Sequence, residues 1–132
     1  MRRVMVFGVF DGLHDGHLHF FREARRHGDE LIVVVTPDSV VELLKGKKPK
    51  ENAEERVKSL LRSGEVHNVV LGDETLGSWN ILHVHKPHVI ALGYDQDNIK
   101  KELESLVFEW SPELLVMEAH KPEELHSSLL KK

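Results

Sequence analysis

The chain has 132 residues, enough for one domain that buries about two-thirds of its unfolded surface. Its 40% hydrophobic and 30% charged content is ordinary for a globular protein, and a formal net charge of −4 gives no support to a general nucleic-acid partner. With no cysteine, disulfides, thiolate metal sites and cysteine nucleophiles are excluded.

No apolar run approaches the roughly 20 residues of a membrane span. Met1-Arg2-Arg3 leads straight into a short strand with no secretory core. The expectation is a cytoplasmic protein with no membrane partner.

Along the chain, strands and helices alternate. Residues 3–8 are a short apolar run, as a strand buried on both faces requires. Residues 17–28 show helical spacing of Phe21 and Ala24 and end on Gly28. Residues 30–36 read as a second buried strand, and 37–44 as a short helix with Asp38 as its cap. A lysine-rich segment holding Lys45, Lys47, Lys48 and Lys50 follows. Asn52 and Glu55 then form a capping box for a helix over 53–62. Strands are expected at 67–72, 88–93 and 114–117, and helices at 79–85, 99–107 and 122–130. This alternation implies crossover connections and a mostly parallel five-stranded sheet. The fold class is α/β, a single Rossmann-like three-layer domain over residues 1–132, with ligands at the carboxyl edge of the sheet.

One run at that edge stands out. Gly8-Val9-Phe10-Asp11-Gly12-Leu13-His14-Asp15-Gly16-His17 lies where the first strand passes into the first helix. The free N–H groups of the first helical turn and the helix dipole favour an anion there. Gly8 and Gly16 permit close backbone approach, and His14 and His17 add two imidazoles beside the anion. The spacing of His83, His85 and His88 suits a metal site poorly, because the first two do not share a helix face.

With His14, Gly16 and His17 behind Phe10 and Asp11, the sequence resembles the nucleotidyltransferases of the cytidylyltransferase-like superfamily, whose signature is H-x-G-H. The resemblance implies transfer of a nucleotidyl group from a nucleoside triphosphate, ATP or CTP, to a phosphate-bearing small molecule. His14, His17 and Lys47 are the implied catalytic residues. His14 and His17 would meet the charge developing at the α-phosphate, and Lys47 with Arg56 would steady the departing pyrophosphate. Gly93-Tyr94-Asp95-Gln96 resembles the G-x-D-Q segment of archaeal-type FAD synthases, which contacts base and ribose. On the residues alone, Asp95 or Asp97 also suits a helix cap. Gly72-Asp73 matches the same relatives and serves either an acceptor pocket or a turn.

Nucleotide contact is thus implied for Val9, Phe10, His14, Gly16, His17, Lys47, Arg56, Gly93, Asp95, Gln96, Ser127 and Ser128. Asp11 and Asp95 are the implied ligands of Mg²⁺ or another divalent cation, and a homodimer is implied as well. The last family element departs from the pattern. Ser127 and Ser128 match its Ser/Thr pair, but the preceding arginine is missing and Glu123 and Glu124 add the wrong charge, with His120, Lys121 and His126 as possible substitutes. The favoured activity is AMP transfer from ATP to FMN. A cytidylyltransferase acting on glycerol 3-phosphate or a related polyol or sugar phosphate ranks second, since such enzymes usually carry Trp where this chain has Gln96. A non-catalytic nucleotide-binding module is the alternative from another class.

Overall fold

The computed structural model describes residues 1–75 and 77–117. The expected helix at 122–130, with Ser127, Ser128 and their charged neighbours, lies outside the described residues. Five strands, β1 (Arg3–Gly8), β2 (Glu30–Val35), β3 (Asn68–Leu71), β4 (Val89–Leu92) and β5 (Glu113–Val116), alternate with helices α1 (Asp15–Arg25), α2 (Asp38–Lys45), α3 (Ala53–Arg62), α4 (Asn80–His85) and α5 (Asp97–Glu104). The strands form one sheet in the order β3-β2-β1-β4-β5, and every pairing is parallel.

Alternating residues of the central strands face opposite sides of the sheet, which is why both sides carry a core. On one side Val4, Val6, Leu31, Val33, Val35, Val89 and Ala91 pack with Phe21 and Ala24 of α1 and Leu60 of α3. On the other, Met5, Phe7, Ile32, Val34, Ile90 and Leu92 pack with Leu82 of α4 and Leu103 of α5. Helices therefore cover both faces, giving three layers. No helix among the described residues is long and apolar enough to cross a membrane.

Element boundaries differ from expectation where side chains cap. Helix α1 begins at Asp15 rather than His17, because His14 serves as its N-cap. Asp38 is not the cap of α2: Pro37 holds that position, and the Asp38 carboxylate goes instead to Arg56. Neither Asp95 nor Asp97 caps α5, whose N-cap Gln96 makes no side-chain capping bond. The Asn52–Glu55 capping box forms as read, each side chain accepting the other's backbone N–H at 2.9 and 3.0 Å.

The sheet reverses direction of growth between β1 and β4. Their pairing covers only Val4↔Val89 and Met5↔Ile90, so the two strands are unpaired toward their carboxyl ends. A crevice at this switch point is the general location of ligands in open α/β sheets.

Candidate nucleotide-binding site

The split between β1 and β4 opens into a cleft of about 630 Å³, lined from one side by Gly8, Val9, Phe10, Asp11, His14, Gly16 and His17 and from the other by Gly93, Tyr94, Asp95 and Gln96. Gln96 closes the base of the split. Its amide nitrogen donates to the Phe7 carbonyl and its amide oxygen accepts from Gly93 N–H, both at 2.8 Å. One side chain thus replaces the ladder bonds that β1 and β4 lack there.

The floor is built from the turn after β1. Phe10 is buried with a left-handed φ of 55°. Its ring lies over Gly8, where an added Cβ would meet the ring at 2.5 Å. The same ring packs edge-on against His17 and Phe21, with centroids 5.3 and 5.2 Å away. A non-glycine residue held in this region costs on the order of 1–3 kcal/mol, and packing of the ring is what holds it here.

The two imidazoles are stacked, with centroids 3.8 Å apart and planes 19° off parallel. His14 Nδ1 accepts the Gly16 N–H at 3.1 Å, and His17 Nδ1 accepts the His14 N–H at 3.4 Å. This is a capping box in which imidazoles stand in for the usual hydroxyl and carboxylate. Gly16 is needed for it, since an added Cβ would lie 2.9 Å from the His14 ring. An Nδ1 that accepts carries no hydrogen, so each neutral ring bears its proton on Nε2, as a donor. Burial lowers the pKa of His17 below the usual 6.5, the neighbouring His14 lowers it further, and Asp95 opposes both. Donors of this kind at a helix N-terminus are the groups from which anion sites are built.

The match to known proteins agrees with this geometry. A model of the cytidylyltransferase-like family matches residues 5–132. The chain belongs to that family. It is 44% identical over 108 residues to the FAD synthase of Pyrococcus abyssi, spanning 79% of this chain and 73% of that protein. It is 40% identical over 107 residues to the FAD synthase of Thermoplasma volcanium, spanning 81% and 74%. A solved lipopolysaccharide core biosynthesis protein from Thermoplasma volcanium superposes with a TM-score of 0.80 at 31% identity, over 92% of this chain and 99% of that one. A pantothenate synthetase from Thermus thermophilus, at 14% identity, a TM-score of 0.63 and coverage of 96% of this chain and 62% of its own, shares the fold alone.

Within this cytidylyltransferase-like fold, the residues singled out in the sequence divide into three groups. Val9, Phe10, His14, Gly16, His17, Gly93, Asp95 and Gln96 come together around the cleft. Lys47 is exposed and outside the lining, whereas Lys45, at the end of α2, is in it. Arg56 is not presented to the cleft. It is fully buried, and its guanidinium donates to the carbonyls of Glu51 and Val9 and to the Asp38 carboxylate at 3.1, 2.8 and 2.6 Å. A buried guanidinium needs acceptors, and here the fold itself supplies one to each of its three nitrogens.

Asp11 lines the cleft, but its two oxygens accept the backbone N–H groups of Lys50 and Glu51 at 2.7 and 2.8 Å. Each oxygen of this carboxylate is thus already engaged by one backbone N–H. Asp95 is exposed in the cleft wall and keeps its carboxylate available. No cluster of three or more metal-binding side chains exists among the described residues. One available carboxylate still fits Mg²⁺, which is commonly held by one or two carboxylates with substrate phosphates completing its shell.

Asp73 accepts from Ser78 Oγ at 2.6 Å and from the backbone N–H groups of Asn80 and Ile81 at the start of α4, so its carboxylate serves the turn. Phe20 and Tyr94 also line the cleft. Phe20 was legible as the i+3 neighbour of His17 on one helix face. For Tyr94 there was no signal beyond its place inside the Gly93–Gln96 segment.

Proposed function

We infer that this protein is an FMN adenylyltransferase, moving AMP from ATP to FMN with release of pyrophosphate. A phosphate oxygen of FMN attacks the α-phosphorus of ATP. The bond from that phosphorus to the bridging oxygen breaks, and the electron pair leaves with pyrophosphate. Such chemistry rests on positioning and charge stabilisation rather than on a covalent enzyme intermediate.

The reading is carried by the stacked His14–His17 pair, whose Nδ1 atoms are tied to backbone and whose Nε2 donors are left for a ligand. These donors are assigned to the α-phosphate and its bridging oxygen, where negative charge grows. The amide of Gln96 ties β1 to the end of β4 at the base of the split. Lys45 is assigned to the β- and γ-phosphates, with Lys47 reaching in from the adjoining loop. Mg²⁺, when bound, would neutralise charge on the phosphate oxygens, with Asp95 as its protein ligand. FMN as the acceptor rests on the kinship with FAD synthases. We further propose a cytoplasmic homodimer, as the resemblance implies.

The test is incubation of the protein with Mg²⁺ and paired substrates. FAD and pyrophosphate from FMN and ATP are expected. Pyrophosphate only from CTP and glycerol 3-phosphate would replace this reading with the polyol-phosphate one. Tight ATP binding with no pyrophosphate from any pair would leave a binding module.

A further inference from the structure

The segment between α2 and α3 carries three lysines, Lys47, Lys48 and Lys50, just after Lys45 at the end of α2, and it is pinned at both ends. At its start Gly46 closes α2 with a left-handed φ of 73°, its N–H bonded to the Glu42 carbonyl at 2.8 Å. At its end the Asp11 carboxylate grips two successive N–H groups, those of Lys50 and Glu51. Only Lys47, Lys48 and Pro49 lie between these points, too few to carry the backbone far from the cleft wall that Asp11 lines.

Arg56 reinforces the same junction from beneath. Its buried guanidinium ties the Glu51 carbonyl to the Val9 carbonyl in the turn before His14, and to Asp38 at the start of α2. Four separate pieces of chain meet at these two side chains: the β1–α1 turn, the first turn of α2, the lysine segment and α3. The Asp11 carboxyl is held below its usual range, chiefly by the Lys50 N–H, which fits a carboxylate that stays ionised as an acceptor.

We propose that Asp11 and Arg56 are positioning residues that clasp the lysine segment at the mouth of the cleft and so set the affinity for the triphosphate. This rests on the nucleotide-binding reading of the cleft. The clasp fixes the backbone and leaves the exposed lysine side chains free to approach the phosphates. Pre-organising that backbone lowers the ordering cost of binding a polyanion.

The test compares wild type, Asp11→Asn and Asp11→Ser, with Arg56→Lys as an independent break. Asp11 is partly exposed, so its variants are the primary ones. Amide hydrogen exchange at Lys50 and Glu51 is expected to speed up by about tenfold or more in Asp11→Ser, and less in Asp11→Asn, whose single oxygen keeps one acceptor. The Kd and KM for ATP are expected to rise about tenfold while kcat stays within about threefold and half-saturating Mg²⁺ is unchanged. Unchanged exchange at those amides, or unchanged ATP affinity, overturns the clasp. So does a fall in kcat with a raised Mg²⁺ requirement, the behaviour of a metal ligand. A wild-type protein that binds ATP without making FAD would overturn the reaction reading, while exchange and ATP affinity would still judge the clasp.

Discussion

The two ends of the sheet use histidine in the same way and to different ends. At the amino edge, His67 and His88 each precede a strand. His67 accepts the Leu31 N–H on Nδ1 at 2.9 Å and donates its own N–H to the Leu31 carbonyl. His88 does the same with Arg3. Each imidazole thus satisfies an amide at the start of the neighbouring strand, the second of β2 and the first of β1. At the carboxyl edge His14 and His17 also accept backbone N–H groups on Nδ1. There, however, the rings stack on each other, one is half-buried against Phe10, and both face a cleft. A backbone bond on Nδ1 does not make a histidine functional. What separates the two pairs is the cleft that His14 and His17 line.

That contrast is broken most sharply by exchanging the two classes. His17→Ala is expected to lower kcat for FAD formation by about 10²–10³, the size seen when one preorganised donor is removed. Lys45→Ala, in the cleft wall, is expected to raise the KM for ATP about fivefold. A charge-assisted bond is worth about 1.5–3 kcal/mol, discounted here to about 1 kcal/mol because the side chain is exposed. His67→Ala and His88→Ala are each expected to cost about 1 kcal/mol of stability by denaturant titration, with kcat unchanged. A drop in kcat for either, comparable to that of His17→Ala, would remove the distinction between the edges.

The same contrast explains what was legible in the sequence. The strands were, because β1, β2 and β4 are buried on both faces and read as continuous apolar runs. The Asn52–Glu55 box was, because capping is local and both partners lie within one turn. The place of His14 and His17 at the mouth of α1 was, because both lie in one short run after β1, but their backbone bonds were not read and the helix start was set at His17 rather than Asp15. Long-range bonds were not. The Asp11 carboxylate meets amides 39 and 40 residues away, and Arg56 meets Val9 across 47. From spacing alone, a carboxylate or guanidinium beside a phosphate motif looks like a ligand. Whether it faces the cleft or the protein depends on tertiary closure. The lysine segment shows the same limit. Lys47 matched by order, yet Lys45 lies in the lining because α2 runs on to that residue before Gly46 ends it.

The smallest expected effect concerns pH. His17 in the folded protein binds its proton less tightly than a free imidazole with pKa 6.5, because burial and His14 disfavour the cation more than Asp95 favours it. As pH falls below about 6.5, the unfolded chain therefore takes up this proton before the folded one does. The unfolded state then binds more protons, so stability falls with falling pH from about 6.5 through the lower folded value and is unaffected by this group above that window. The proton has a structural cost too. The imidazolium has no acceptor at Nδ1, and the His14 N–H loses its partner. His17→Gln keeps an acceptor at the third position of the helix, as in an ordinary capping box, but cannot titrate. The gap between the melting temperatures at pH 7.5 and pH 5.5 is expected to narrow in that variant relative to wild type. An equal gap in both proteins would mean that the half-buried ring is not the titrating group the cleft geometry makes it, and that its neutral, donor-bearing form has some other origin.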